Sequence, residues 1–221
     1  MLSPDKVAVA VDFDGTVTKI DIGNRLFDHF SSGRSGEVVA EWKKGLISSK
    51  ECFERECALI SANEPEIREY VLKQEIQPDF IGLYSFLNRN GIYAVILSDG
   101  MDYYIRLILE KYDLEIPFYS NRVKINNSSC VPEFPFYGHT CGRCANCKGY
   151  HIRELKKRYD HVIFAGDGLS DRCAVEDSDV VFAKGDLLEY CRTNNHRCFE
   201  FNSFDQVKDH ISKLVDLDGS L

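Results

Sequence analysis

Val7-Ala8-Val9-Ala10-Val11-Asp12-Phe13-Asp14-Gly15-Thr16 is the stretch that decides the fold. Five consecutive apolar residues end abruptly in a carboxylate. An unbroken apolar run of this length reads as a strand buried on both faces, the mark of a parallel sheet. Two further stretches repeat the pattern. Ile92-Tyr93-Ala94-Val95-Ile96-Leu97 stops at Ser98-Asp99-Gly100, and His161-Val162-Ile163-Phe164-Ala165 stops at Gly166-Asp167-Gly168. Asp179–Ala183 and Cys198–Phe201 are weaker candidates for two more strands.

Helical patterns lie between these runs. Phe80, Leu83, Tyr84 and Leu87 share one face, as do Met101, Tyr104, Ile105 and Ile108. Residues 148–159 and 203–215 predict two further helices. Strands alternating with helices predict an α/β fold, a Rossmann-like doubly wound parallel sheet. Residues 19–77 break the rhythm with several helix-like segments and no good strand. Glu41-Trp42-Lys43-Lys44-Gly45 and then Ser49-Lys50-Glu51-Cys52-Phe53 read as helix, stop, restart. This predicts a helical insertion after the first strand. Residues 117–147 carry Pro117, Pro132 and Pro135 and read as a hairpin or a long loop.

The chain has 221 residues, 35 acidic against 27 basic, for a formal net charge of −8. That balance lacks the broad basic face that nucleic-acid binding uses and the polybasic patch that binds membrane surfaces. No apolar run approaches the ~20 residues of a membrane span. The polar opening Met1-Leu2-Ser3-Pro4-Asp5-Lys6 predicts no signal peptide. Nine unevenly spread cysteines make a poor disulfide framework, so the expected compartment is reducing and cytoplasmic.

In an open α/β sheet, ligands bind beyond the carboxyl ends of the strands. Neighbouring strands would therefore gather Asp12, Asp14, Ser98, Asp167 and Asp171 into one volume. Clustered carboxylates repel unless a cation or protons neutralise them, and a hard divalent cation such as Mg²⁺ is the economical partner. Such a site suits phosphate, and a carboxylate in it can attack phosphorus. Taken singly, each Asp has an ordinary alternative as a turn or cap residue.

Asp12-Phe13-Asp14-Gly15-Thr16 resembles the first motif of the haloacid dehalogenase-like phosphohydrolases, DxDxT after a buried strand. Ser98-Asp99-Gly100 is similar to their second motif, Lys148 at a helix start to their third, and Gly166-Asp167-Gly168-Leu169-Ser170-Asp171 to their fourth. The four occur in order over nearly the whole chain. The resemblance implies a core of that family from residues 1–18 and 78–221, with a helical cap at 19–77. It implies Asp12 as nucleophile and metal ligand, and Asp14 as general acid and then base, its carbonyl on Mg²⁺. Ser98, Asp99 and Gly100 would hold phosphate, and Lys148 would neutralise it. Asp167 would bind Mg²⁺, and Asp171 would bind it through water or orient Lys148. Relatives that cleave carbon–halogen bonds lack the second carboxylate and ion-pumping ATPases read DKTGT, so DFDGT favours phosphomonoester hydrolysis.

Cys141-Gly142-Arg143-Cys144-Ala145-Asn146-Cys147-Lys148 resembles two subgroups. These are the 2-hydroxy-3-keto-5-methylthiopentenyl-1-phosphate phosphatases of methionine salvage and the phosphoethanolamine/phosphocholine phosphatases. Both belong to the phosphoserine-phosphatase-like branch. There Asp21 stands where an acidic residue often reaches the substrate, though a helix N-cap is an equal reading. The expectation is a small phosphorylated metabolite as partner, with the methionine-salvage enol phosphate first and phosphoserine, phosphocholine or phosphoethanolamine next. The expected assembly is a monomer or homodimer. Cys141, Cys144 and Cys147 are expected to form a reduced, thiol-lined loop. A zinc site would need a fourth ligand, from His139 or His151. Rival classes are a phosphoacceptor signalling domain and a zinc or thiol-redox module built on this cluster.

Overall fold

The computed structural model describes residues 2–126, 129–139 and 141–215. Its frame is one seven-stranded sheet. In chain order the strands are β1 (Val7–Val11), β2 (Tyr93–Met101), β3 (Phe118–Asn126), β4 (Ser129–Glu133), β5 (His161–Gly166), β6 (Val180–Ala183) and β7 (Phe199–Glu200). Their spatial order is β4-β3-β2-β1-β5-β6-β7, parallel throughout except for the β3–β4 hairpin. The sheet grows outward from β1 in one direction through β2 and β3, then returns to the other side of β1 with β5. The strand order therefore reverses at β1, which is where open α/β sheets place their ligands.

Helices α1 (Ile22–Phe30), α2 (Ser35–Lys43), α3 (Ser49–Leu59) and α4 (Glu64–Leu72) all fall between β1 and the next core helix, α5 (Pro78–Arg89). Local caps set their starts. Asp21 accepts the Asn24 N–H at 2.8 Å, and Ser48 accepts that of Glu51 at 3.1 Å. Asn63 and Glu66 form a reciprocal capping box at α4. The expected stop and restart falls between Lys43 and Ser49.

The remaining helices are α6 (Asp102–Lys111), α7 (Lys148–Leu155), α8 (Arg172–Asp177), α9 (Gly185–Thr193) and α10 (Phe204–Leu214). Alternate residues of β1 sort them into two layers. Val7, Val9 and Val11 face a cluster that includes α5, α6 and α10, while Ala8 and Ala10 face one built with α7, α8 and α9. The small alanines let the second layer sit close to the strand. All five β1 residues are buried, as an unbroken apolar run requires.

Two boundaries and two short helices differ from the sequence reading. β2 continues to Met101, because pairing with β3 resumes at Met101–Asn121 after an irregular Ser98–Gly100 segment. The helix expected over 148–159 stops at Leu155, where a turn returns the chain to β5. α8 and α9 did not stand out by periodicity because they span only 6 and 9 residues. No helix among the described residues is long and apolar enough to cross a membrane.

α7 and α8 pack so closely that Gly149 has no room for a methyl group. A Cβ there would lie 2.4 Å from the Cys173 carbonyl oxygen. Gly149→Ala is expected to destabilise the fold by about 1–3 kcal/mol. Gly82, mid-helix in α5, has nothing within 4 Å of its Cβ position. Gly82→Ala is expected to stabilise by about 0.5–1 kcal/mol. Urea unfolding of the two variants beside the parent chain checks both signs.

Candidate active site

The turn leaving β1 is tied down at both ends. The Asp12 N–H donates to the Ala165 carbonyl of β5 at 2.8 Å. The Thr18 hydroxyl donates to the Phe13 carbonyl at 3.0 Å and accepts the Gly15 N–H at 3.1 Å. Gly15 sits at φ +76°, and a Cβ there would approach Asp167 Oδ2 to 2.5 Å. Conformation and space thus both demand glycine in the DxDGT turn. Thr16 donates to Asp167 Oδ1 at 3.0 Å, so the ends of β1 and β5 are joined side chain to side chain.

Lys148 is the centre of the site. Its side chain is fully buried and its ammonium contacts both Asp12 Oδ1 and Asp171 Oδ1. The other oxygen of Asp171 accepts the backbone N–H groups of Asp167 (3.0 Å) and Gly168 (2.9 Å). Lys124, Lys156 and Lys157 pair instead at the surface with Glu133, Asp179 and Glu154. Burial pushes the Asp12 carboxyl up to about 7 against the pull of Lys148, and lifts Asp167 and Asp171 to about 6. Burial also opposes the Lys148 charge, but Asp12 and Asp171 outweigh it and hold the ammonium protonated. Asp12, Asp167 and Asp171 each offer an oxygen within 4.8 Å of the others.

Asp14 points its carboxyl elsewhere. Its Oδ1 accepts the N–H groups of Ile22 and Gly23 at the start of α1, each at 3.1 Å. Its Oδ2 meets the Tyr104 hydroxyl at 2.5 Å and the Ser98 hydroxyl at 3.3 Å. Burial, reinforced by the charge of Asp21, holds Asp14 well above the usual carboxylate range. Ser98 Oγ also accepts the Gly100 N–H at 2.9 Å. The Asp99 side chain is engaged by the Asn146 N–H (2.6 Å) and the Asn121 amide (3.2 Å). The Asn121 amide also donates to the Asp99 carbonyl at 2.7 Å. Asn146 in turn donates to the carbonyls of Ser98 and Tyr119. It thereby fastens the segment before Lys148 to β2 and β3.

These groups open onto a cavity of about 410 Å³. Asp12, Asp14, Ser98 and Asp167 line it from the strand ends, and Asp21, Trp42, Phe53 and Glu56 from the insertion. Asp21 is therefore both the cap of α1 and a lining residue. The Cys52 thiol donates to Glu56 at 3.7 Å, and burial pushes the Glu56 carboxyl up to about 8. Among the aromatic residues, Trp42, Phe53 and Tyr104 line the cavity. Tyr103 instead meets Glu64, and Phe136 packs on Tyr119 and His151.

Sequence reasoning missed the parts played by Thr16, Tyr104, Asn146 and Glu56. Thr16 had a signal in the DxDxT motif itself. Tyr104 lay within an apolar stripe and carried none, since its hydroxyl meets a residue 90 positions away.

Residues 7–194 match the sequence model of a family described as Putative Phosphatase. A 2-hydroxy-3-keto-5-methylthiopentenyl-1-phosphate phosphatase of Bacillus cereus (strain AH820) is 28% identical, covering 96% of this chain and 98% of its own. Among solved structures, a phospho-aspartyl intermediate analogue of phosphoserine phosphatase superposes with a TM-score of 0.71 at 14% identity, covering 93% of this chain and 98% of that one. A HAD family hydrolase from Salmonella enterica subsp. enterica serovar Typhi gives 0.74 at 17%, covering 92% and 70%. With four motifs joined at the reversal point of this sheet, the chain belongs to the putative-phosphatase family and is a haloacid dehalogenase-like phosphoric monoester hydrolase.

Proposed function

We propose that the chain is a Mg²⁺-dependent phosphatase that passes the phosphoryl group of a small metabolite to Asp12 and then to water. Residues 1–18 and 78–221 form its core, and residues 19–77 form a cap that closes over the substrate. The observation that carries this reading is the buried ammonium of Lys148 held between Asp12 and Asp171 at the end of the central strand. A cation with no solvent exposure among carboxylates serves an anion that must be neutralised out of water.

The donor set fits Mg²⁺. It is all oxygen, as a hard cation prefers. Asp171 is already engaged by two N–H groups and Lys148. Asp12, Asp167 and the main-chain carbonyl of Asp14 would therefore hold the ion, and Asp171 orients Lys148. Bound there, Mg²⁺ offsets the charge of the phosphoryl oxygens.

The chain's own groups supply the rest. An Asp12 oxygen attacks phosphorus while the ester P–O bond breaks. Asp14, kept protonated by its surroundings, gives its proton to the leaving oxygen. It then takes a proton from the water that attacks the aspartyl-phosphate, releasing inorganic phosphate and restoring Asp12. Tyr104 and the two α1 N–H groups fix Asp14 in place. Ser98 and the main chain at Asp99–Gly100 hold phosphate oxygens.

The substrate we favour is the methionine-salvage enol phosphate. The Bacillus relatives bear that name, and Phe27, Trp42 and Phe53 give the cavity an apolar wall suited to an uncharged thioether chain. Asp21 and Glu56 beside Trp42 favour a second reading, a cationic phosphocholine or phosphoethanolamine headgroup.

Turnover is expected to require added Mg²⁺ and to vanish in excess EDTA, measured on p-nitrophenyl phosphate. Asp12→Asn should lower kcat by about 10³-fold or more with the fold intact. Asp14→Asn should be slow and accumulate label on Asp12. Wild-type rates in Asp12→Asn, or label on another residue, would end this mechanism.

Glu56→Gln separates the two substrates. For the enol phosphate, kcat/KM should change by less than about threefold, whereas a cationic substrate, whose charge would draw the proton off Glu56 on binding, should lose about tenfold through KM, ~1.4 kcal/mol. The same variant has a stability signature. The raised Glu56 carboxyl keeps a proton that the unfolded chain releases, so ionisation costs the native state progressively as pH rises from 4.5 to about 8. Tm of Glu56→Gln relative to wild type should therefore increase across that window. A flat difference would show that Glu56 is ionised in the folded chain.

A further inference from the structure

Four cysteines, not three, converge beside the catalytic lysine. Cys173, at the start of α8, joins Cys141, Cys144 and Cys147, and all four sulfurs lie within 4.8 Å of one another. The separations are 3.5 Å for Cys141–Cys144, 3.9 Å for Cys144–Cys173 and 3.7 Å for Cys173–Cys141. Sulfurs at the corners of a tetrahedron about 2.3 Å from a central zinc stand about 3.8 Å apart. The observed separations bracket that value.

The loop is shaped to bring the sulfurs together. Gly142 turns the chain at φ +83° directly after the first cysteine. The histidines that the sequence offered as a fourth ligand are engaged elsewhere. His151 Nε2 bonds the Asn146 side chain at 2.6 Å, and His139 stacks on Tyr150. The cysteine motif thus needs no histidine once α8 is folded against it. Sulfurs this close leave room for one ion and not for a multi-iron cluster.

We propose that Cys141, Cys144, Cys147 and Cys173 bind a single structural zinc ion as four thiolates, releasing their protons to solvent. The site has no open position, so its role is positional. Cys147 directly precedes Lys148, and Cys173 lies two residues beyond Asp171. The ion would staple together the two segments whose buried ends meet in the Lys148–Asp171 pair. This assignment is independent of the substrate and of the phosphatase mechanism.

The test is metal analysis of the full chain purified without chelator or affinity metal. One equivalent of zinc per chain is expected. Cobalt-substituted protein should show a thiolate-to-cobalt charge-transfer band and the intense visible bands of a tetrahedral site. Cys173→Ser should weaken zinc affinity by at least about tenfold, while Cys198→Ser, outside the cluster, retains it. Stripping zinc with a thiol-competitive chelator should lower Tm, and added zinc but not Mg²⁺ should restore it. If Cys173→Ser does not fold, alkylation of the native wild-type chain decides, since zinc must shield all four thiols and its removal must expose them. Absence of zinc with freely alkylated thiols, stoichiometric iron, or a Cys141–Cys144 disulfide in the purified chain would each overturn the assignment.

Discussion

An ammonium with no exposure to water, pressed between two carboxylates, is the interaction on which the rest of this structure depends. Charges taken out of water are costly unless they are paired and hydrogen-bonded. Lys148 meets that condition through Asp12 and Asp171, and Asp171 through the N–H groups of Asp167 and Gly168 as well. Removing the lysine would leave two buried carboxylates facing each other, at about 3–5 kcal/mol. Lys148 therefore closes the electrostatics of the resting fold at the end of the central strand.

Several features of the core exist to bring those three side chains together. Asp12 lies just past β1, Asp171 is held in the turn after β5 by the Asp167 and Gly168 N–H groups, and the two strands are neighbours in register from Val7–His161 to Val11–Ala165. The alanines of β1 face the layer that contains α7 and α8. α7 begins with Lys148, and the absence of a side chain at Gly149 lets α8 approach to contact. A bulkier residue at either level would separate Lys148 from Asp171. Asn146 fixes the third direction by fastening the segment before Lys148 to β2 and β3.

The insertion does more than enclose space. The first N–H groups of α1, at Ile22 and Gly23, bind Asp14, so the helix that opens the insertion also holds a carboxyl of the core. A helix N-terminus carries partial positive charge and favours an acceptor there. The placement of the insertion and that of the Asp14 carboxyl are thereby linked through two hydrogen bonds. Helices α1 to α3 then bring Phe27, Trp42, Phe53 and Glu56 to the same cavity.

Whereas β3 and β4 lay in a stretch legible only as a hairpin or a long loop, sequence alone determined the three central strands β1, β2 and β5, the helical character of the stretch after β1 and the carboxylates at the strand ends. These depend on local periodicity: an apolar run buried on both faces admits few readings, and a parallel sheet gathers the residues just past its strands along one edge. It also singled out Lys148, because that residue opens a helix at the required place in the motif order. The tertiary structure alone decided which distant side chains complete the site. Tyr104 reaches Asp14 only because α6 rotates that one residue of an apolar stripe toward β1, and Glu56 enters the cavity only through the packing of α3. Cys173 joins the cysteine loop only because α7 and α8 lie in contact. No short-range pattern encodes such meetings, since each is set by how two whole elements pack and not by the residues beside it.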